Sequence, residues 1–167
     1  MPPTDSDARN TRISERVIVF LATGFGVGWI PLAPGTWGSL VGLLLVAAGD
    51  AFISQPELKF IAAGLLLILG VPICDKGAKL IGRKDPGEVV WDELAAMPIV
   101  FFAIPFHLKT AVIGWAWFRL FDIWKPWPIR NSQHWPGGWG IMIDDVLAAI
   151  FAAACLYATV HFGKIMP

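Results

Sequence analysis

Charged side chains are scarce in this chain: Asp, Glu, Lys and Arg make up 16% of 167 residues, and none falls between Val17 and Gly49. Acids and bases number 13 each, so the chain lacks the basic excess that a nucleic-acid surface needs, and no nucleic-acid partner is expected. Its two cysteines, Cys74 and Cys155, fit no metal-ligand spacing. That excludes a zinc site and a disulfide framework, leaving two buried thiols. The N-terminus, MPPTDSDARNTRISER, lacks a signal-peptide pattern and reads as a polar cytoplasmic tail over residues 1–16. Residues 17–167 are then one domain.

What the chain has in place of charge is apolar length. Hydrophobic residues make up 56% of it, and after the Val17–Gly49 stretch three more uncharged runs follow at Phe60–Cys74, Leu94–Leu108 and Val146–Gly163. At about 1.5 Å per residue the last run is long enough to cross a bilayer core, and the shorter ones are marginal. The crossings expected are roughly 38–54, 57–74, 94–107, 109–121 and 146–163. Pro98 and Pro105 interrupt the third, and the uncharged part of the fourth is short, so this hairpin only dips into the bilayer. With this layout 10 of 13 basic residues lie on one side, leaving Lys59, Lys109 and Lys164 opposite; by the positive-inside rule the basic side is the cytoplasm. Eleven of the 13 acids fall there as well. So do Trp29, Trp37, Trp91, Trp124, Trp127, Trp135 and Trp139, as an interfacial aromatic belt requires. The fold class expected is all-α, a multihelical membrane-embedded bundle of short helices with a cytoplasm-facing site.

Local signals mark the connections. In the segment RKDPGEVVWDEL, Asp85 as N-cap, Pro86 at the first helical position and Glu88 at the third form a capping box. Asp85, Glu88 and Asp92 would then share one helical face, with Glu93 beside it. Gln55-Pro56 starts a helix, and Pro126 and Pro128 end one. The segment IPLAPGTWGSL reads as a shaped loop opening onto a helix N-terminus, whose free N–H groups and the hydroxyls of Thr36 and Ser39 suit an anion.

The stretch from Phe118 to Leu147, FRLFDIWKPWPIRNSQHWPGGWGIMIDDVL, carries the densest chemistry. Arg119, Asp122 and Lys125 follow at three-residue steps, Gly137 and Gly138 form a turn, and Asp144 and Asp145 open the last apolar run. Grouped carboxylates suit a hard divalent cation, and cations beside them suit a phosphate. Asp92, Glu93, Asp122, Asp144 and Asp145 are therefore read as catalytic and metal-holding. Lys125 is the phosphate contact, Arg119 a second clamp, and Gly137 and Gly138 a backbone cradle. No cysteine is followed six residues later by arginine, and no Asp-x-Asp pair stands at Asp122 or Asp144, so phosphocysteine and aspartyl-phosphate chemistries fit worse. The alternative is a small ion-coupled transporter using the acids as a cation or proton relay, but such residues belong near mid-membrane.

Four blocks, PLAPGTWGSL, VVWDE, FRLFDIWKPWPIR and GGWGIMIDDVLA, in this order between Gly24 and Tyr157, resemble the phosphatidylglycerophosphatase A family of bacterial phospholipid synthesis. The resemblance implies a multihelical, Mg²⁺-dependent lipid phosphatase of the bacterial inner membrane. It would convert phosphatidylglycerophosphate to phosphatidylglycerol, a cardiolipin precursor, and inorganic phosphate. The partners implied are a phospholipid substrate and the membrane; the sequence leaves open a homo-oligomer. The chain departs from the family pattern at Ala96 and Ala149, where glycine is usual, and at Asn131–Pro136, a loop that usually holds an aspartate and here has no acid.

Overall fold

In the computed structural model, which describes residues 5–163, every regular element is helical. Helix α1 (Asp5–Ala22) leads through a short 3-10 turn at Val27–Trp29 into α2 (Pro34–Phe52) and α3 (Pro56–Ile81). Then come α4 (Trp91–Val100), α5 (Leu108–Trp124), the single turn α6 (Ile129–Ser132) and α7 (Gly138–Phe162). The tail expected over residues 1–16 is helical from Asp5; its first four residues, like Lys164, lie outside the described residues. The proline signals mark real ends. Gln55 precedes Pro56 at the start of α3, and α5 stops at Trp124, where Lys125 takes a left-handed conformation (φ 45°) ahead of Pro126.

The capping box expected at Asp85 does not form. Residues 82–90 are irregular, and α4 begins only at Trp91. Pro86 and Gly87 make a turn closed by the Val89 N–H on the Pro86 carbonyl, and the Val90 N–H donates to the carbonyl of Ala22 at the end of α1. Glu88 is drawn to Arg83. A turn and a tertiary hydrogen bond thus take the groups that a helix start would have used. Asp85, Glu88 and Asp92 consequently do not share a helical face.

Among the described residues three helices are long and apolar enough to cross a membrane, namely α2, α3 and α7. Of the five expected crossings, those over 38–54, 57–74 and 146–163 fall on these helices. Helix α4 has 10 residues, about 15 Å of rise, against the roughly 30 Å of a bilayer core. The chain bends over Phe101–His107 and returns as α5, a 17-residue helix. The α4–α5 hairpin therefore begins and ends at the same end of the bundle, with Asp92 of α4 and Asp122 of α5 lining one cleft. Outward faces of α2 and α3 carry Leu44, Ile61, Leu65 and Ile68, all well exposed, as lipid-facing positions are.

Short α4 forms the centre of the bundle. It packs against α2, α3, α5 and α7, and Trp91, Leu94, Ala95, Ala96, Met97 and Val100 are all buried. Trp91 thus belongs to the core rather than to the aromatic belt, with its indole N–H on the Leu66 carbonyl. The other six belt tryptophans are exposed. Small residues allow the close approach. A Cβ on Gly42 of α2 would lie 2.7 Å from the Leu94 carbonyl oxygen, and one on Gly138 would collide with the carbonyl oxygen of Val71. Ala96 and Ala149 are both fully buried in the cluster joining α4, α5 and α7, so the methyl groups added there are accommodated.

Candidate active site

The start of α4, the end of α5 and the second turn of α7 meet at one end of the bundle. Between them is a cleft of about 160 Å³ lined by Asp85, Pro86, Gly87, Val89, Asp92, Glu93, Asp122, Lys125, Ile141, Asp144 and Asp145. Local structure dictates which side chains arrive. Asp92 and Glu93 sit in the first turn of α4, where helix N-termini favour negative charge. Asp144 and Asp145, adjacent in α7, are both buried, as is Asp122 on α5.

One carboxylate oxygen from each of Asp92, Glu93 and Asp145 falls within a group no wider than 4.8 Å. Asp92 Oδ1, Glu93 Oε2 and Asp144 Oδ1 are buried without a hydrogen-bond partner, a costly arrangement unless a cation satisfies them. Burial first, and then the charge of Asp145, push the Glu93 carboxyl up to about 8. Asp92 is raised by burial and by Glu93. The donors are all oxygens, the set a hard cation such as Mg²⁺ takes, so the residues present fit the expected metal.

Two cations hold the cluster in place. Lys125 Nζ lies 2.5 Å from Asp144 Oδ2 and 3.7 Å from Asp122 Oδ1. Burial opposes its charge, but Asp144, Asp145 and Asp122 together hold it above the usual lysine range. Arg119 lies behind the cleft, not on it; its side chain is 14% exposed, 2.6 Å from Asp122 Oδ2 and 3.9 Å from Glu93 Oε1. It therefore positions two carboxylates.

The remaining sequence candidates lie elsewhere. Ser39 is buried inside α2, donating to the Thr36 carbonyl and accepting from the Trp115 indole N–H at 3.0 Å. Thr36 is not among the cleft-lining residues. Gly137 and Gly138 line a separate groove with Val71, Pro72 and Asp75, where absence of a side chain lets α7 abut α3. The PGTW block nevertheless touches the site, because a Cβ on Gly35 would collide with Glu93 Oε1 and come within 3.1 Å of an Arg119 guanidinium nitrogen.

Sequence reasoning missed two contributors. Asp85, read as a cap, stands on the cleft wall. Gln133, in the acid-free loop, donates to Asp144 Oδ2 at 3.0 Å. No local pattern points to Gln133, because its partner is brought near only by the fold.

Residues 20–160 match the family described as Phosphatidylglycerophosphatase A. The chain is 44% identical over 145 residues to Phosphatidylglycerophosphatase A of Haemophilus influenzae, covering 84% of this chain and 87% of that one. It is 39% identical over 143 residues to the Escherichia coli protein of the same name, covering 84% and 82%. A Bacteroides thetaiotaomicron protein named "Putative phosphatidylinositol-3-phosphatase" is 34% identical over 140 residues, covering 80% and 87%. No solved structure matches the chain.

Proposed function

The chain belongs to the phosphatidylglycerophosphatase A family, and from that premise we propose that it hydrolyses the terminal phosphate monoester of phosphatidylglycerophosphate. The products are phosphatidylglycerol and inorganic phosphate. The observation that carries this reading is the convergence of buried, partnerless carboxylate oxygens from Asp92, Glu93 and Asp144 on one cleft with Lys125 at its side.

A phosphate monoester is doubly negative and its transition state spreads charge over oxygens, so hydrolysis needs positive charge and fixed donors. Asp92, Glu93, Asp122, Asp144 and Asp145 would hold Mg²⁺, which when bound offsets phosphate charge and orients the attacking water. Lys125 donates to a phosphate oxygen. Arg119 and Gln133 keep Asp122, Glu93 and Asp144 in fixed rotamers. The water oxygen bonds to phosphorus as the P–O bond to the glycerol breaks; the water's proton passes to a cleft carboxylate and from there to the departing glycerol oxygen, which leaves as the alcohol. We place the protein in the bacterial inner membrane with α2, α3 and α7 crossing and the cleft facing the cytoplasm, where its basic residues concentrate.

A carrier would need its acids near mid-membrane, whereas these cluster where α4 starts and α5 ends. Phosphate release by the detergent-purified protein separates the readings. Release from phosphatidylglycerophosphate with Mg²⁺, abolished by EDTA and exceeding release from phosphatidylinositol 3-phosphate, is expected. Absence of release with Mg²⁺ present would overturn the proposal.

A further inference from the structure

Residues 9–17 of α1 are exposed on every side of the helix, whereas its end is seated. Ala22 is fully buried, its Cβ so close to Gly77 that a side chain there would strike it, and its carbonyl accepts the Val90 N–H. The helix is thus anchored at its C-terminal end and projects from the bundle. Most helical stability in proteins comes from packing an amphipathic face, and residues 9–17, exposed all round, have no such packing within the bundle.

The exposed side chains are sorted by chemistry. Ile13, Val17 and Phe20, spaced i, i+4 and i+7, are 53%, 51% and 52% exposed and form one apolar strip. Phe20 meets Phe25 edge-on at 5.8 Å, and the strip continues through exposed Phe25 and Trp29 to Leu32. Beside it run Arg9, Arg12 and Arg16, spaced i, i+3 and i+7, none in an ion pair among the described residues. From Arg9 to Ala22 the one acid is Glu15, which falls on the other side of the helix from the strip.

We infer that α1 is an interfacial helix: it lies in the membrane plane at the cleft end, with Ile13, Val17 and Phe20 in the acyl boundary and Arg9, Arg12 and Arg16 on anionic lipid headgroups. An apolar stripe flanked by arginines is what an anionic bilayer surface takes up. The strip is also continuous with the exposed Trp29 near the start of α2, one of the spanning helices. The inference is independent of which phosphate ester is cleaved.

The test uses an environment-sensitive fluorophore on Ile13→Cys, Val17→Cys or Glu15→Cys, each with Cys155→Ala and the buried Cys74 retained. The proteins are reconstituted in phosphatidylcholine–phosphatidylglycerol vesicles with or without brominated lipid. Expected are blue-shifted emission and quenching by brominated lipid at positions 13 and 17 at least about twofold greater than at 15. Replacing Arg9, Arg12 and Arg16 by Gln should reduce that quenching, as should high salt. Water-like emission at both 13 and 17 would overturn the inference. Blue-shifted emission without lipid quenching would overturn it too, since another protein chain would then cover the strip. Each label reads the same strip one turn apart, so a local disturbance at one leaves the other decisive.

Discussion

In the proposed mechanism, removing one carboxylate from the cluster would take away a metal donor while leaving the volume filled. Asp122→Asn, Asp144→Asn and Asp145→Asn should each lower turnover by at least about a hundredfold, roughly 2.7 kcal/mol of transition-state stabilisation. Circular dichroism should remain that of the parent. Near-parental phosphate release from all three would mean the cleft is not the catalytic centre. Lys125 differs from Arg119 because it lines the cleft while Arg119 backs it. An ammonium is compact and a guanidinium planar, so Lys125→Arg should cut kcat/KM at least about tenfold, on the order of 1.4 kcal/mol, with unchanged membrane insertion. Full activity in this variant would relegate Lys125 to a snorkelling role at the headgroups.

At the scale of elements, the first turn of α2 serves as a wall for the cluster. Gly35 leaves the space that the Glu93 carboxylate and the Arg119 guanidinium occupy. The atom a Cβ there would meet is the far end of the Glu93 side chain, so Gly35→Ala should leave the melting temperature close to the parent's while lowering phosphate release at least about tenfold, because Glu93 must move. An active variant would show that Glu93 tolerates displacement. Gly138 presents the opposite case, since its neighbour is the Val71 backbone carbonyl, which cannot step aside. Gly138→Ala should lower the melting temperature measurably by prising α7 from α3.

For the whole molecule the consequential question is sidedness. The cleft, the irregular loop at 82–90 and the segment around exposed Asn131 share one end of the bundle, whereas the Lys59–Asp50 ion pair marks the other. A cysteine at Asn131, with Cys155→Ala, should react with a membrane-impermeant thiol reagent in inverted vesicles and not in intact spheroplasts. Cys74 can stay, being fully buried. Labelling from the outside would reverse the orientation and remove the site from the cytoplasm.

Composition and charge placement alone determined that the chain is helical and membrane-associated. Long uncharged runs leave the backbone few ways to satisfy its hydrogen bonds except helices. The residue blocks likewise carried the family, and the carboxylates around which the cleft forms were legible because grouped acids are rare in so apolar a chain. Tertiary structure alone decided the rest. Only folding could turn Asp85 from an apparent cap into a wall of the cleft, since the Val90 N–H found its acceptor on the Ala22 carbonyl of α1, a partner that no local pattern announces. It bound Gln133 to Asp144, buried Ser39 under Trp115, and set Arg119 behind the carboxylates. Those outcomes depend on which helices meet and how closely their small residues let them approach, and neither is encoded in any one segment.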